Sequence, residues 1–328
     1  MSLGFDRSRP LAAIVIGRAG MDLYPLPDGI ETESAATFAA EVGGSAANIA
    51  VAIARQELPA ALLGVLSDDA VGRFVRSHLE RLGVIMSHCR AATGTCRTSL
   101  AVCETRATDS ETVFYRNGAA DLELSREQFD SQFIGSATFL VITGTALAAD
   151  PSRTAAFEAL ALARAAGTFS ILDIDYRAVS WSSRNETNRI IDDAARLCDA
   201  VVGNEEEFEI LAAGATDALE VAGELVGSGC RFVVLKRGDA GSTTIAGDRR
   251  FDTGIFAVDA KKPFGSGDAF LGTLIVGLRC GISLEAALRR ATAAAAYVVS
   301  RRGCAFAMPS SAELETFMIG HAPTSTSR

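Results

Sequence analysis

The chain has 328 residues, 48% of them hydrophobic and 22% charged, with 30 glycines and 8 prolines. This balance excludes a disordered chain and allows a full core in one large α/β domain or two smaller ones. The formal charge of −9 argues against nucleic acid or an anionic membrane as a partner, and it requires local arginines wherever an anionic substrate is held. The seven cysteines are spread along the chain with no C-x-x-C, which reads as reduced thiols in a cytoplasmic protein. The three histidines lie at no metal-ligand spacing. Residues 1–10 lack a signal-peptide pattern, and the longest apolar run, 291–299, is too short to span a bilayer.

The first strand is expected at 13–17, followed by Arg18 and Asp22. A carboxylate there lies at the ligand edge of an α/β sheet, so Asp22 is a candidate to bond substrate hydroxyls; a plain turn residue is the alternative. Arg18 is a weaker candidate to hold a substrate carboxylate, because the strand end can direct it outward. Residues 23–42 and 93–118 lack helical periodicity and are partly Thr- and Val-rich. They predict a small β lid, 23–44 plus 93–118, inserted twice into a core of 11–22, 45–92 and 119–316; two long surface loops are the alternative. Between the lid's first half and an apolar helix stands Gly43-Gly44-Ser45-Ala46-Ala47-Asn48. Paired glycines let backbone approach a ligand, and Asn48, one turn in, is placed to bond a sugar hydroxyl or to face solvent. Neither a P-loop nor a dinucleotide-binding glycine pattern is present.

Further strands are expected at 61–66, 138–143, 169–174, 200–203 and 232–236, with helices at 153–166 and 186–197 among them. Strands that are apolar throughout and separated by helices predict a mostly parallel sheet covered on both faces. Arg116 ends a lid strand, and Arg177 follows the strand at 169–174. A guanidinium grips a carboxylate with two parallel bonds, so both are candidates to hold a carboxylate of a substrate; pairing of Arg177 with Asp173 or Asp175 is the alternative. Near the C-terminus, Pro263-Phe264-Gly265-Ser266-Gly267-Asp268-Ala269-Phe270 opens an apolar helix. Backbone N–H groups of Gly265, Ser266 and Gly267 converge there on an anion, at the positive end of the helix dipole. Asp268 in that first turn can take the proton of an attacking hydroxyl. By itself the motif reads equally as a tight turn with a favourable first-turn charge. Residues 321–328 read as disordered.

Together and in this order, Gly43 to Asn48 (G-G-x-x-x-N) and Gly265 to Asp268 (G-x-G-D) resemble the pfkB, or ribokinase-like, family of carbohydrate kinases, over about residues 11–316. The resemblance implies a three-layer sandwich with a β lid, and transfer of phosphate from ATP, with Mg²⁺, to a sugar hydroxyl. It implies that Asp268 is the base and that Asp22, Gly43, Gly44 and Asn48 form the sugar site. Asn204-Glu205-Glu206-Glu207 matches the family's N-x-x-E element, which implies that Asn204 and Glu207 organise Mg²⁺ and the phosphates through water; a solvated helix start is the alternative. Lys236, Gly238, Gly241 and Thr292 fall where the family binds ATP. Lys262 departs from the pattern, because an aspartate at a monovalent-cation site stands there in ribokinases. Arg116 and Arg177 turn the expectation toward an acid sugar. A kinase of the same fold acting on another sugar or a nucleoside, and an inactive sugar-binding regulator, are the alternatives. A lid edge strand pairing with a second copy is the expected route to an oligomer.

Overall fold

A computed structural model describes residues 3–106, 109–212, 217–261 and 264–324. Lys262 and Pro263 lie outside these residues, so the structure does not address the cation-site departure at Lys262.

The strands in chain order are β1 (Leu11–Ile16), β2 (Gly20–Leu26), β3 (Thr37–Gly43), β4 (Ala60–Leu66), β5 (Cys89–Ala91), β6 (Ser99–Cys103), β7 (Thr112–Tyr115), β8 (Ala137–Thr143), β9 (Phe169–Asp173), β10 (Ala200–Asn204), β11 (Phe232–Lys236), β12 (Ser242–Ala246) and β13 (Arg249–Thr253). Nine form one sheet in the order β13-β12-β11-β10-β9-β8-β1-β4-β5. Its strands are parallel from β11 to β5, and β12 and β13 run antiparallel at one edge.

The sequence dictates two faces. Along β1, Ala13 and Val15 enter one apolar cluster while Ile14 and Ile16 enter another, as strand alternation requires. The first cluster takes in the helices Ser45–Ala54, Ser266–Arg279 and Leu284–Val299. The second takes in Ser152–Ala166 and Arg184–Leu197. The result is helix layer, sheet, helix layer. From Ala269 to Leu278 the helix Ser266–Arg279 is buried all round, so its amino end is fixed by the core.

The remaining strands form a separate sheet in the order β3-β2-β6-β7, drawn from the two segments expected to make a lid. Asp22, assigned from sequence to the core, lies inside β2 and pairs with Glu41 of β3. The inner face carries Tyr24, Ala101, Cys103 and Phe114 in a small cluster. On the opposite face, Phe38, Val113 and Tyr115 are exposed, and Leu23, Leu100 and Val102 are half-buried.

Three strands, β5, β12 and β13, were not expected from sequence. The hairpin β12–β13 is rich in Thr and Arg and half exposed, so it lacks the apolar run that marked the buried strands. The tail expectation is corrected for 321–324. Pro323 bridges to Phe256, and Thr324 donates its backbone N–H to Ile255 O at 2.8 Å. Among the described residues no disulfide joins any of the seven cysteines, and no helix is long and apolar enough to cross a membrane.

Candidate active site

One cavity of about 840 Å³ lies between the β3-β2-β6-β7 sheet and the carboxyl ends of the parallel strands. This is the ligand edge of such a sheet. The small sheet contributes Asp22, Cys103, Thr112 and Phe114 to its lining, and Arg18 joins them from the segment between β1 and β2. From the large sheet come Asp173, Asp175, Arg177, Asn204, Glu207 and Lys236. Residues Phe264 to Asp268 close the floor.

The helix Ser266–Arg279 begins at Gly265, whose φ of 80° is left-handed. Glycine adopts that turn without the penalty a side chain brings. Asp268 follows in the first turn and accepts a hydrogen bond from Asn48 Nδ2 at 2.7 Å. Asn48 stands in the helix Ser45–Ala54, and its other amide atom, Oδ1, is buried with no hydrogen-bond partner among the described residues. Asn48 is itself part of the cavity lining. Burial, and then the neighbouring Asp175 charge, push the Asp268 carboxyl up to about 6, against the opposing pull of the Asn48 bond.

Gly43 is needed for a different reason. A Cβ there would fall 1.9 Å from Asp22 Oδ2, so only glycine lets the carboxylate of β2 lie across β3. Gly44, with φ 99°, caps the next helix, and a Cβ on it would meet Arg18 O at 2.4 Å.

Asp175 is a hub that sequence reasoning did not single out. Its Oδ2 accepts from Ser45 Oγ, and from Thr145 Oγ1 at 3.1 Å. Its Oδ1 pairs with Arg177 Nη2 at 3.0 Å, so the pairing held open as an alternative for Arg177 is present. Arg177 nevertheless lines the cavity, and its side chain is 45% exposed. The signal lay in Asp173-Ile174-Asp175, two carboxylates at the end of a buried strand. What sequence could not supply was the order β9-β8-β1, which brings residues 45, 145 and 175 together.

Asn204 and Glu207 cap each other across the start of the helix Glu205–Leu211. Asn204 Oδ1 accepts from Glu207 N at 2.9 Å, and Glu207 Oε2 accepts from Asn204 N at 2.8 Å. Glu207 Oε1 accepts from Tyr176 N at 3.2 Å. Lys236 ends β11 and pairs with Asp173 at 3.7 Å. Burial raises the proton affinity of Asp173, with the Lys236 ammonium opposing it. A Cβ on Gly267 would lie 3.1 Å from Lys236 Nζ, so this ammonium adjoins the Gly265–Gly267 loop. Gly238, Gly241 and Thr292 also line the cavity. The Thr292 hydroxyl is engaged within its own helix, donating to Leu288 O at 3.1 Å.

Two expected site residues are not among the lining. Gly43 acts from behind Asp22. Arg116 bonds Asp121, Ser180 Oγ at 3.0 Å and Thr145 O at 2.8 Å, so its guanidinium ties β7 to the core. Arg18, the weaker candidate because the strand end can direct it outward, is turned inward. It is 8% exposed and lines the cavity.

A carboxylate with raised proton affinity at a helix amino end, beside glycine N–H groups and a lysine, is equipped for phosphoryl transfer to a hydroxyl. The chain belongs to the pfkB family of carbohydrate kinases, whose family model matches residues 12–311. Among its relatives, 5-dehydro-2-deoxygluconokinase of Photobacterium profundum is 40% identical over 321 residues, covering 96% of this chain and 97% of that protein. The protein of the same name from Geobacillus kaustophilus is 36% identical, covering 99% of each. In fold the chain is similar to a fructokinase from Xylella fastidiosa, with a TM-score of 0.85, 24% identity, and coverage of 94% of this chain and 98% of that one. It is also similar to a fructokinase from Vibrio cholerae O395 whose structure holds fructose, ADP and a potassium ion, with a TM-score of 0.83, 26% identity, and coverage of 94% and 99%.

Proposed function

We propose that this protein phosphorylates the terminal hydroxyl of an acid sugar with ATP, the substrate being 5-dehydro-2-deoxy-D-gluconate. The observation that carries the chemistry is Asp268, placed by a buried helix next to Asn48 and the Gly265–Gly267 loop. The relatives' shared name, over the full length of the chain, supports the choice of sugar.

Asp22 and Asn48 Oδ1 accept bonds from the sugar hydroxyls. As the terminal hydroxyl attacks the γ-phosphorus of ATP, its proton passes to Asp268. An O–P bond forms, the bond to the β-phosphate oxygen breaks, and ADP leaves. The N–H groups of the Gly265–Gly267 loop and the Lys236 ammonium hold the transferring charge. Gly238, Gly241, Thr292 and Ser242 form the nucleotide wall. Ser242 Oγ is buried with no hydrogen-bond partner among the described residues and is available to ATP.

The donor set also suits Mg²⁺, which takes few protein carboxylates and keeps waters and phosphate oxygens. Glu207 and Asp173 offer hard oxygens on this wall. Each Glu207 oxygen accepts one backbone N–H, and Glu207 and Asn204 would hold the ion through water. When bound, the ion neutralises the phosphate charge.

The lid, formed by β2, β3, β6 and β7, closes over the sugar and keeps water from accepting the phosphoryl group. Its outer apolar face takes a second copy of the chain. Arg177 serves the acid end of the substrate, and Arg116 supports that wall from behind through Asp121. The compartment proposed is the cytoplasm.

The test is ADP release with Mg-ATP against 5-dehydro-2-deoxy-D-gluconate, other acid sugars, and neutral sugars such as fructose and ribose. The expected outcome is the highest kcat/KM with the first. A higher kcat/KM on a neutral sugar overturns the choice of substrate, and no ADP release with any sugar overturns the kinase reading.

A further inference from the structure

Three arginines stand near the sugar end of the cavity, and their charges are compensated differently. Arg116 is paired with Asp121, and Arg177 with Asp175. Arg18 forms no ion pair among the described residues, although it is 8% exposed. Its one side-chain hydrogen bond among the described residues runs from Nη1 to Ser99 Oγ at 3.4 Å, the long limit for such a bond. The guanidinium carbon lies 5.4 Å from the centre of the Phe114 ring, in a cation–π contact. A buried charge without a counter-ion is costly, and a fold retains one where an anion comes to meet it.

The surroundings hold this side chain in place. A Cβ on Gly20 would lie 2.9 Å from Arg18 Nη1, so the absence of a side chain at Gly20 leaves the guanidinium its space. Arg18 O accepts the backbone N–H of Ala47 at 3.4 Å, which ties the residue to the helix that carries Asn48. Phe114 of β7 and Ser99 of β6 reach it from the lid. Arg18 therefore joins the lid to the sugar site and lies in the cavity lining.

We infer that Arg18 binds the carboxylate of the acid sugar and sets the preference for acid over neutral sugars. The inference rests on the proposed function above and deepens it, because it moves the selective contact from Arg177 to Arg18. A planar guanidinium held against an aromatic face binds a carboxylate with two parallel bonds. A neutral sugar leaves that buried charge unmet, and such a site rejects the analogue lacking the partner group.

The experiment compares wild type, Arg18→Ala, Arg18→Lys, Arg18→Gln and Arg177→Ala. It measures kcat and KM with 5-dehydro-2-deoxy-D-gluconate, with fructose and with ATP, and acid-sugar binding without ATP by calorimetry. In Arg18→Ala, kcat/KM on the acid sugar should fall about ten- to a hundredfold more than on fructose, mostly through KM. The KM for ATP should hold. Arg18→Lys, a point charge without the fork, should fall between wild type and Arg18→Gln. Equal losses on both sugars, an unchanged acid-sugar KM, or a loss of selectivity in Arg177→Ala with none in Arg18→Ala would each overturn the assignment. If Arg18→Ala fails to fold by circular dichroism, the Lys and Gln variants carry the same comparison. Failure of the underlying function is seen separately, in wild type alone, as a preference for the neutral sugar.

Discussion

Asp268 keeps a proton to a higher pH than an ordinary carboxyl, up to about 6, because burial and Asp175 disfavour its charge. As a base it works only when deprotonated, so kcat/KM should be level above that value and fall as the pH drops through it. Asp268→Asn should lower kcat by about 10²–10⁴-fold at pH 8; retention of most of the rate would remove it from the base role. The same shift has a stability consequence of fixed sign. The folded protein binds this proton more tightly than the unfolded chain, so the cost of the buried charge is full above about pH 6 and is relieved as the pH falls from there to the ordinary value of 3.8. Asp268→Asn should therefore raise Tm at pH 8, keep only about half of that advantage at pH 5, and lose it below about pH 4, in paired melting curves. The Asn48 bond and the Arg177 charge both hold the Asp268 proton affinity down. Asn48→Ala and Arg177→Ala should each move the acid limb of the profile to higher pH; a limb that stays put would separate them from the base. Asp268, Asn48 and the glycines between Gly265 and Gly267 were legible in sequence because each lies in one contiguous motif. Ser45, Thr145 and Asp175 were not assigned roles, and Arg18 ranked below Arg116 and Arg177, because the order of strands, and not any local pattern, makes them neighbours.

At the scale of elements, the glycine loop and the β2–β3 pair carry the strictest demands. Gly265 takes a left-handed φ of 80°, and a Cβ there would lie 3.1 Å from Cys304 Sγ. Gly265→Ala therefore adds about 1–2 kcal/mol of backbone strain and pushes on a buried neighbour. It should lower Tm and lower kcat, because the N–H groups shift from the transferring phosphoryl; melting curves and steady-state rates check both. Gly43→Ala puts a Cβ 1.9 Å from Asp22 Oδ2 and must displace that carboxylate. Its effect should fall mainly on the sugar KM, with the KM for ATP unmoved. An unchanged sugar KM would count against a role for Asp22 in sugar binding. The buried parallel strands were legible because both their faces are apolar, and five of the six expected ones lie within a residue of their observed bounds at each end. The first was the least accurate, expected at 13–17 and observed as Leu11–Ile16. The lid strands were legible only as segments that break helical periodicity, so their pairing and the place of Asp22 within β2 had to come from the structure.

For the whole molecule, the lid raises a question of burial. Its four strands alternate, and the inner face meets the cavity. The outer face, formed by Leu23, Phe38, Leu100, Val102, Val113 and Tyr115, is apolar and half-buried or exposed. A sheet with one apolar face to water is unusual without a cover, and β3 and β7 also leave open edges. The proposed cover is a second copy of the chain, pairing lid to lid. In plan the face measures roughly 19 Å by 17 Å from strand spacing and rise, or about 300 Å². A stable interface of standard size buries about 800 Å² on each partner, so the face alone gives a concentration-dependent dimer, with Kd in the micromolar range or weaker. Sedimentation velocity over a concentration series should show wild type moving from monomer to dimer. Val102→Asp places a charge on a central strand of the outer face, away from Cys103 and the cavity, and should hold the chain monomeric at every concentration. A wild type that stays monomeric throughout, or a Val102→Asp variant that dimerises like wild type, would move the interface off the lid and leave the chemistry at Asp268 untouched.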